Sequence, residues 1–379
     1  MPRFHVVTPN LTPGDAVSQD AVGMTLALKS QGHDASLYAS ELDESPVHLG
    51  EHIDVYEDGP AQCADDVLIY HHCVAWERGV DLYKSSQNRR ILKYHNVTPP
   101  SFYEGLHPDY VAACAAGRAH TEELLRVRAD LYLSDSDFNT QELVAMGAPR
   151  RRCRTAYPFN ALDSLDEMEP DLGVLRLYEG DWRNILFVGR VAPNKGHLSL
   201  IEIFAHYHHQ LNPHSRLFLV GALDPRLRAY EQQLRIAIDR ASLRGFVFLA
   251  GKVTPAQLKA YYLISHAFLC ASEHEGFCVP LVEAMRFKIP CVALSRTAIT
   301  STLGEDAIVW DELDAGVFAE SLHTCIEASE IQGALIEHQL KRFEEQFAPR
   351  SVMARFLNAI DSLHCEFSDE YTAPAGVAW

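Results

Sequence analysis

Positive charge is scarce in this sequence. Its 33 Lys and Arg residues are outnumbered by 51 Asp and Glu residues, and the net charge is −18 at pH 7. Proteins that bind nucleic acid use Lys and Arg side chains to neutralise the phosphates, so a strongly negative net charge argues against nucleic acid as a partner.

Long apolar runs and paired cysteine motifs are absent as well. No apolar run approaches the roughly 20 residues that span a bilayer, and strand-like residues 4–8 stand where a signal peptide would begin. The nine cysteines include no Cys-x-x-Cys pair. This disfavours a zinc ribbon or a disulfide framework and is typical of a reducing compartment. These features predict a cytoplasmic protein.

Two nucleotide-binding fingerprints are missing too. No Gly-x-Gly-x-x-Gly occurs, which argues against a nicotinamide or flavin enzyme. A Walker A loop has glycine directly before its lysine, but Asn194 precedes Lys195. A nucleoside triphosphatase is therefore disfavoured.

Short apolar runs alternate with helical periods along the chain, a pattern typical of doubly wound parallel sheets. Strands are predicted at residues 4–8, 35–39, 67–71, 91–94 and 131–134, and again at 185–188, 217–220, 247–249, 267–270 and 291–294. Helices are predicted at residues 20–31, 108–128 and 139–146 of the first half. The acidic, turn-rich residues 159–179 are predicted to be a linker. We therefore predict an α/β protein with a first domain at 1–165, a second at 166–348, and a final segment at 349–379.

A strand–turn–helix motif follows the predicted linker. Gly189 ends a buried-looking strand, and Arg190 and Lys195 flank a turn before the helical period that begins at His197. Backbone amides and the helix dipole attract phosphate at such a turn, and two cations suit a diphosphate. The alternative is a surface turn with two solvated cations, which is usual for a lone Arg or Lys.

Two glutamates eight residues apart mark a second motif. Glu275 lies in a predicted loop after the strand at 267–270, and Glu283 lies in a helix predicted at 279–287 with Pro280 in its first turn. The two carboxylates should contact different parts of one extended ligand, at the sheet edge where such folds bind ligands. Acidic residues near a helix N-terminus also complement the helix dipole without any ligand.

Together these residues resemble those of the retaining glycosyltransferases of family 4, which have the GT-B fold of two facing Rossmann-like domains. The resemblance covers most of the chain and is strongest from residue 184 to about 314. It implies that Arg190 and Lys195 hold the diphosphate of a nucleotide sugar. It also implies that Glu275 lies by the transferred sugar and that Glu283 binds the ribose hydroxyls.

The rest of the implied donor site follows from the same motifs. Its remaining residues are Gly189, Gly276, Phe277, Cys278 and Val279. Many relatives have Pro-Glu where Thr300 and Ser301 stand here, so no role is transferred to that pair. The resemblance further implies that the helical segment 349–364 crosses back to the first domain, followed by a loose tail at 366–379.

The first domain should supply the opposite wall of the cleft. Similar proteins hold a histidine near the sugar at the end of a strand, and His95 matches it, so His95 joins Glu275, Arg190 and Lys195 as a catalytic candidate. The acceptor side has weaker candidates in Gly14, Asp15, His71, Ser136 and Asn139. For the first two of these, an ordinary strand-to-helix turn is an equally good interpretation.

The implied activity is transfer of a hexose, with retention, from GDP-mannose or a UDP-hexose to a glycan or lipid-linked acceptor. No metal or other cofactor is implied, and Asp135-Ser-Asp137 is interpreted as a helix start and not as a metal site. The basic run at 150–154 suits a peripheral contact at the inner face of the cell membrane or a pyrophosphate-linked acceptor, although solvated turn residues are the usual interpretation of such a run. Two alternatives remain: a non-catalytic nucleotide-sugar-binding partner subunit, and a phosphorylase or epimerase with the same fold.

Overall fold

The computed structural model describes residues 2–43, 49–57 and 63–364. These residues form two α/β domains, each with a parallel sheet. Within these residues the first sheet has seven strands and the second has six. The doubly wound two-domain fold predicted from the sequence is confirmed.

The first domain follows a strand–helix alternation. Its elements are β1 (Phe4–Leu11), α1 (Ala16–Ser30), β2 (Ala35–Leu42), β3 (Gly50–His52), α2 (Ile53–Glu57), β4 (Val67–His72), α3 (Glu77–Ser85), β5 (Arg89–Tyr94), α4 (Pro108–Arg126), β6 (Leu131–Ser134), α5 (Asp137–Ala145) and β7 (Cys153–Thr155). A 3-10 turn at Pro100–Tyr103 precedes α4.

The second domain repeats the alternation after two short helices. Its elements are α6 (Leu162–Glu167), α7 (Leu172–Leu177), β8 (Arg183–Val188), α8 (His197–His206), β9 (Ser215–Val220), α9 (Arg228–Arg240), β10 (Val247–Gly251), α10 (Pro255–Leu263), β11 (Ala267–Cys270), α11 (Val279–Arg286), β12 (Cys291–Leu294), α12 (Ile299–Leu303), β13 (Ile308–Trp310), α13 (Ala315–Glu327) and α14 (Ser329–Arg342). Helix α15 (Pro349–Asp361) follows these elements.

The central strands are covered on both faces. Every residue of β4, β11 and β12 is buried, as expected for parallel strands between two layers of helices. The first sheet has the strand order β3-β2-β1-β4-β5-β6-β7, and the second has the order β10-β9-β8-β11-β12-β13. In each sheet the order reverses beside the first strand of the domain, between β1 and β4 and between β8 and β11. Such a reversal opens a crevice at the carboxyl ends of the strands. The predicted site residues lie at the ends of strands, on the loops that follow them, or in the helices after those loops.

Several predicted boundaries were wrong. The predicted linker contains α6 and α7, and Leu162, Leu165 and Val174 are buried in the core of the second domain. Each helix has only six residues, too few to show a helical period in the sequence. The helix predicted from residue 20 begins at Ala16, because Asp15 caps it. The short strands β3, β7 and β13, of three residues each, were missed for the same reason of length.

The C-terminal helix α15 packs on the first domain. Phe356, Ala359 and Ile360 are buried in one cluster with residues of β1, β4 and α1. The tail predicted at 366–379 lies outside the described residues. Among the described helices, none is both long and apolar enough to span a bilayer.

Candidate functional site

The turn after β8 packs closely beneath β11. Residues Pro193–Lys195 form a 3-10 turn, and Gly196 follows with φ +68°. A Cβ atom on Gly196 would lie 1.9 Å from the carbonyl oxygen of Ala271. Glycine adopts this left-handed conformation at little cost, and its lack of a side chain makes room for the close approach of Ala271.

Asn194 joins this turn to the loop that carries Glu275. Its side-chain amide donates to the carbonyl of His274 at 3.2 Å. Its own carbonyl accepts from the amides of Glu273 and His274, at 2.8 and 3.3 Å. The two loops predicted to bind the donor are thus held together by both the side chain and the backbone carbonyl of Asn194. The sequence offered no signal for this role of Asn194 beyond its failure to match a Walker A loop.

Lys195 and Glu275 form a direct ion pair. The ammonium of Lys195 donates to both carboxylate oxygens of Glu275 at 2.6 Å, and Glu275 is 7% exposed. Burial by itself would lower the pKa of Lys195, but the charge of Glu275 outweighs it and raises the pKa. The Lys195 ammonium is therefore charged at neutral pH, and the structure brings together two residues predicted from separate motifs.

Thr297 holds the backbone of Glu275. Its hydroxyl accepts from the Glu275 amide at 2.9 Å and donates to the Glu275 carbonyl at 2.8 Å. Thr297 has φ +47°, an uncommon conformation for a β-branched residue. Because Thr297 follows β12, 22 residues along the chain, no local sequence signal marked it.

Glu283 lies on α11 and is bonded to Tyr262. The Tyr262 hydroxyl donates to Glu283 Oε2 at 2.5 Å. Burial raises the pKa of Glu283, and the Tyr262 hydrogen bond partly offsets this. Tyr262 was not among the residues predicted from the sequence. It bonds one of the two carboxylate oxygens of Glu283.

The turn between the two glutamates is tightly packed. The ring of Phe277 packs against Tyr157 and Phe347, with centroids 5.5 Å from each. Cys278 caps α11 with φ +76°, a conformation that costs on the order of 1–3 kcal/mol outside glycine. The side chains of Phe277 and Cys278 are buried, so the backbone of this turn is the part that can contact a donor.

Arg190 reaches across to the first domain. Its guanidinium donates to the hydroxyls of Tyr110 at 3.2 Å and Tyr103 at 3.4 Å, and lies 3.9 Å from Asp224. Tyr110 also bonds Asp224 and accepts from Arg226. With its side chain 47% exposed, Arg190 sits at the boundary of the two domains, beside and not within the Lys195–Glu275 pair.

His95 is held on both ring nitrogens. Its Nδ1 lies 2.8 Å from Asp135, and its Nε2 lies 2.8 Å from Nδ1 of His71. A hydrogen bond from His95 to a sugar hydroxyl, as expected from the resemblance, therefore requires the bond to His71 to break. His71 is fully buried, and this burial lowers its pKa.

A buried ion-pair network lies beneath His95. The ammonium of Lys93 is 2.6 Å from Asp135 and 3.4 Å from Asp20, and Lys93 and Asp20 are fully buried. Among the described residues, one ligand atom each of Asp20, His71 and His95 lie within 4.8 Å of one another, as metal ligands do. The Lys93 ammonium already supplies a positive charge at the Asp20 oxygen of this group.

Two of the other first-domain candidates, Asp15 and Ser136, have structural roles as helix caps. Asp15 accepts from the amide of Ser18 at 2.9 Å and caps α1. Gly14 has φ +81° and open space around it. Ser136 caps α5 by accepting from the amide of Asn139 at 3.2 Å. Asn139 itself is fully buried and lies at the contact between the domains.

Gly276 is the point at which the donor loop meets the first domain. A Cβ atom on Gly276 would lie 2.6 Å from the carbonyl oxygen of His95 and 3.3 Å from Nδ2 of Asn139. Only a residue without a side chain allows this approach. The position therefore sets how closely the two walls of the cleft can meet.

We expect the substitution Gly276→Ala to lower kcat about tenfold, because the added methyl group forces the two walls apart where the reacting groups must align. Free nucleotide should bind as in the unmodified protein, since the atoms that the added methyl group meets belong to the first domain. Steady-state kinetics and calorimetry check this, with Gly333→Ala in α14 as the control, where a Cβ atom meets nothing within 4 Å. An unchanged kcat would show that this contact has no part in turnover.

Two other groups of basic residues have local partners. Arg150, Arg152 and Arg154 donate to the backbone carbonyls of Cys153, Ala129 and Arg151, respectively. His208 Nδ1 lies 3.0 Å from Ser215 Oγ, and His209 Nε2 lies 2.8 Å from the carbonyl oxygen of Ala241.

Comparison with known proteins agrees with this architecture. Residues 177–342 match the family described as Glycosyl transferases group 1. The O-antigen chain mannosyltransferase B of Escherichia coli is 26% identical over 190 residues, which is 49% of this chain and 49% of that protein. The GDP-mannose:cellobiosyl-diphosphopolyprenol alpha-mannosyltransferase of Xanthomonas oryzae pv. oryzae (strain PXO99A) is 37% identical over 108 residues, 27% of this chain and 26% of that protein. The aligned regions thus span about half of the first relative and a quarter of the second.

The whole fold also has a solved counterpart. The crystal structure of Anabaena Alr3699/HepE in complex with UDP and glucose superposes with a TM-score of 0.74 at 14% identity, over 96% of this chain and 100% of that one. The family match covers the domain that carries Lys195, Glu275 and Glu283, and the structural match covers both domains. Residues 177–342 therefore resemble the group 1 glycosyl transferases, and the chain has the GT-B fold.

Proposed function

We propose that this chain is a retaining hexosyltransferase that uses a nucleotide diphosphate sugar as donor. The observation that carries the proposal is the Lys195–Glu275 pair, where a cation for the diphosphate and a carboxylate for the sugar meet at 2.6 Å. A partner subunit that only binds nucleotide has no evident use for a buried carboxylate beside the sugar position.

GDP-mannose is the first candidate donor, and UDP-hexoses are the second. Both curated relatives are mannosyltransferases by name, and one is named for GDP-mannose. The solved counterpart binds UDP and glucose. The acceptor proposed here is a glycan or a lipid-linked sugar, as in the name of the Xanthomonas relative. A lipid-linked acceptor would bring the cytoplasmic enzyme into peripheral contact with the inner face of the cell membrane.

In the proposed reaction an acceptor hydroxyl attacks the anomeric carbon from the face that the diphosphate leaves. The new glycosidic bond forms as the bond from carbon to phosphate oxygen breaks, and the hydroxyl proton passes to the leaving phosphate. Lys195 and Arg190 would neutralise the diphosphate as its charge develops, which is where preorganised charge contributes most to such a rate. Glu275 would hold the sugar.

A donor screen tests the proposal. The protein is incubated with GDP-mannose, UDP-glucose and related donors, first without and then with a lipid-linked oligosaccharide acceptor, and products are analysed by chromatography and NMR. We expect release of the nucleotide diphosphate and an α-linked product from an α-linked donor. Binding without any turnover would indicate the partner-subunit alternative. A sugar phosphate or an epimerised donor as product would indicate the phosphorylase or epimerase alternative.

We also expect transfer to persist in excess EDTA. The proposed cations at the diphosphate are protein side chains, and Lys93 supplies the positive charge at the Asp20 carboxylate, 3.4 Å away. Initial rates are measured before and after chelation and again after added Mg²⁺ or Mn²⁺. Loss of transfer with EDTA, restored by either ion, would contradict the metal-independent mechanism.

A further inference from the structure

The side-chain amides of Asn96 and Asn139 form a buried pair in the first domain. Asn96 lies just beyond β5, and Asn139 lies in the first turn of α5 after β6. Asn96 Nδ2 donates to Asn139 Oδ1 at 2.9 Å, and the two residues are 7% and 0% exposed. The pair thus sits at the carboxyl ends of two neighbouring strands, the edge at which such sheets bind ligands.

Each amide keeps one polar atom without a partner among the described residues. These atoms are Asn96 Oδ1, an acceptor, and Asn139 Nδ2, a donor. Exchanging oxygen and nitrogen in both amides leaves one acceptor and one donor unpaired as before. Unpaired buried amide atoms disfavour folding, so a group that pairs both is the expected occupant.

The pair lies directly against the donor loop. A Cβ atom on Gly276 would be 3.2 Å from Asn96 Cβ and 3.3 Å from Asn139 Nδ2. Gly276 follows Glu275, whose carboxylate is paired with Lys195. Asn96 also has φ +70°, a strained backbone of the kind that gathers at ligand sites.

We propose that Asn96 and Asn139 form a subsite for one hydroxyl group of a hexose, an inference that rests on the proposed transferase function. A hydroxyl both donates and accepts, so it pairs the free carbonyl oxygen and the free NH₂ group together. Because Gly276 covers the pair, the hydroxyl reaches it when the domains separate at this contact. In the unliganded protein a water molecule can take the same two bonds.

The subsite predicts selectivity at one position of the sugar ring. A site built to bond a hydroxyl rejects an analogue that lacks it, since the site's own polar groups are then left unpaired. The hexose is either the transferred sugar or the acceptor sugar. Both present the same chemistry to the amide pair, and the experiment distinguishes them.

The experiment measures dissociation constants for a nucleotide sugar and its monodeoxy analogues, and separately for a glycan acceptor and its monodeoxy analogues. The proteins are the full-length chain, Asn139→Leu, and Asn96→Gly, which suits the positive φ of Asn96. We expect the unmodified chain to bind one deoxy compound about tenfold or more weakly than its parent, and both variants to bind the two equally. Loss of discrimination among donors assigns the transferred sugar, and loss among acceptors assigns the acceptor sugar.

Folding is controlled in two ways. Asn139→Asp keeps an oxygen that accepts from Asn96 and replaces the unpaired NH₂ donor with a carboxyl oxygen, so it serves if the leucine variant does not fold. Asn88→Ala removes a buried amide of the same domain that is bonded to Tyr56 and Cys63 before β5, and it should keep the discrimination of the unmodified chain. Variants that retain the original selectivity for every deoxy compound overturn the subsite alone. Failure of the unmodified chain to bind any nucleotide sugar overturns the proposed function with it.

Discussion

Replacing Lys195 with alanine should lower transfer by at least ~100-fold in kcat/KM, the loss typical of removing one preorganised group that stabilises developing charge. The Lys195 ammonium donates to both oxygens of Glu275 and stands beside the turn that is proposed to hold the diphosphate. Its removal takes away the cation of the leaving group and also leaves a nearly buried carboxylate unpaired. The repulsion between that carboxylate and the diphosphate adds to the effect.

Steady-state kinetics with the donor identified by the screen check this result. Lys341→Ala is the matched control, because Lys341 is an exposed lysine on α14 of the same domain. Thermal unfolding of both variants separates a loss of catalysis from a loss of folded protein. Near-normal turnover by Lys195→Ala would remove the proposed leaving-group site.

Arg190→Ala should show a comparable loss of at least ~100-fold if its guanidinium moves to the diphosphate when donor binds. In the structure this guanidinium bonds Tyr103 and Tyr110 of the first domain. Tyr110→Phe removes one of these bonds and keeps the ring, so it shows whether Arg190 acts through the tyrosines. Equal kinetics for Arg190→Ala and Tyr110→Phe would mean that Arg190 serves the domain contact and not the diphosphate.

Alanine variants of Glu275 and Glu283 should have different effects on nucleotide binding. Glu283→Ala should weaken nucleotide diphosphate and nucleotide sugar alike, by about 1.5–3 kcal/mol, the contribution of a hydrogen bond to a charged group. The reason is that ribose hydroxyls are present in both ligands. Burial raises the pKa of Glu283. As the pH falls, Glu283 should therefore become protonated at a higher pH than an ordinary glutamate does. Its contribution to nucleotide binding should be lost over the same pH range.

Glu275→Ala should instead spare the free nucleotide and impair turnover of the sugar donor. Removing this carboxylate releases Lys195, so the affinity for a free diphosphate should be unchanged or higher. A loss seen only with the sugar donor is the pattern of an interaction that is strongest in the transition state.

Calorimetry with nucleotide diphosphate, beside kinetics with the donor, distinguishes the two glutamates. Glu273→Ala is a useful control, because this neighbouring glutamate bonds Arg296 at the surface of the second domain. Equal losses of free-nucleotide affinity in Glu275→Ala and Glu283→Ala would mean that the pair is a single nucleotide clamp.

The alternation of strands and helices could be predicted because each element depends mainly on the residues within its own short segment. Strands β11 and β12 begin and end where their apolar runs do, at Ala267–Cys270 and Cys291–Leu294. The helices of the supposed linker could not, because six residues make fewer than two turns and show no period. Their burial depends on α10, which lies some ninety residues further along the chain, as in the bond from Lys259 to the carbonyl of Asp166.

The candidate site divides in the same way. The sequence by itself determined that Lys195 follows a strand in a turn suited to phosphate, and that Glu275 and Glu283 lie on a loop and on the helix after it. These are properties of short segments, set by backbone and side-chain preferences within a few residues.

Only the tertiary structure decided which of these segments meet. The Lys195–Glu275 pair joins residues 80 positions apart. Lys93 of β5 joins Asp20 of α1 and Asp135, which follows β6. The contacts of Gly276 with His95 and Asn139, and of Arg190 with Tyr110, further require the two domains to face each other at one distance. That distance results from the packing of whole domains, through buried residues such as Tyr103 and Tyr157 and through the return of α15, and no local pattern in the sequence encodes it.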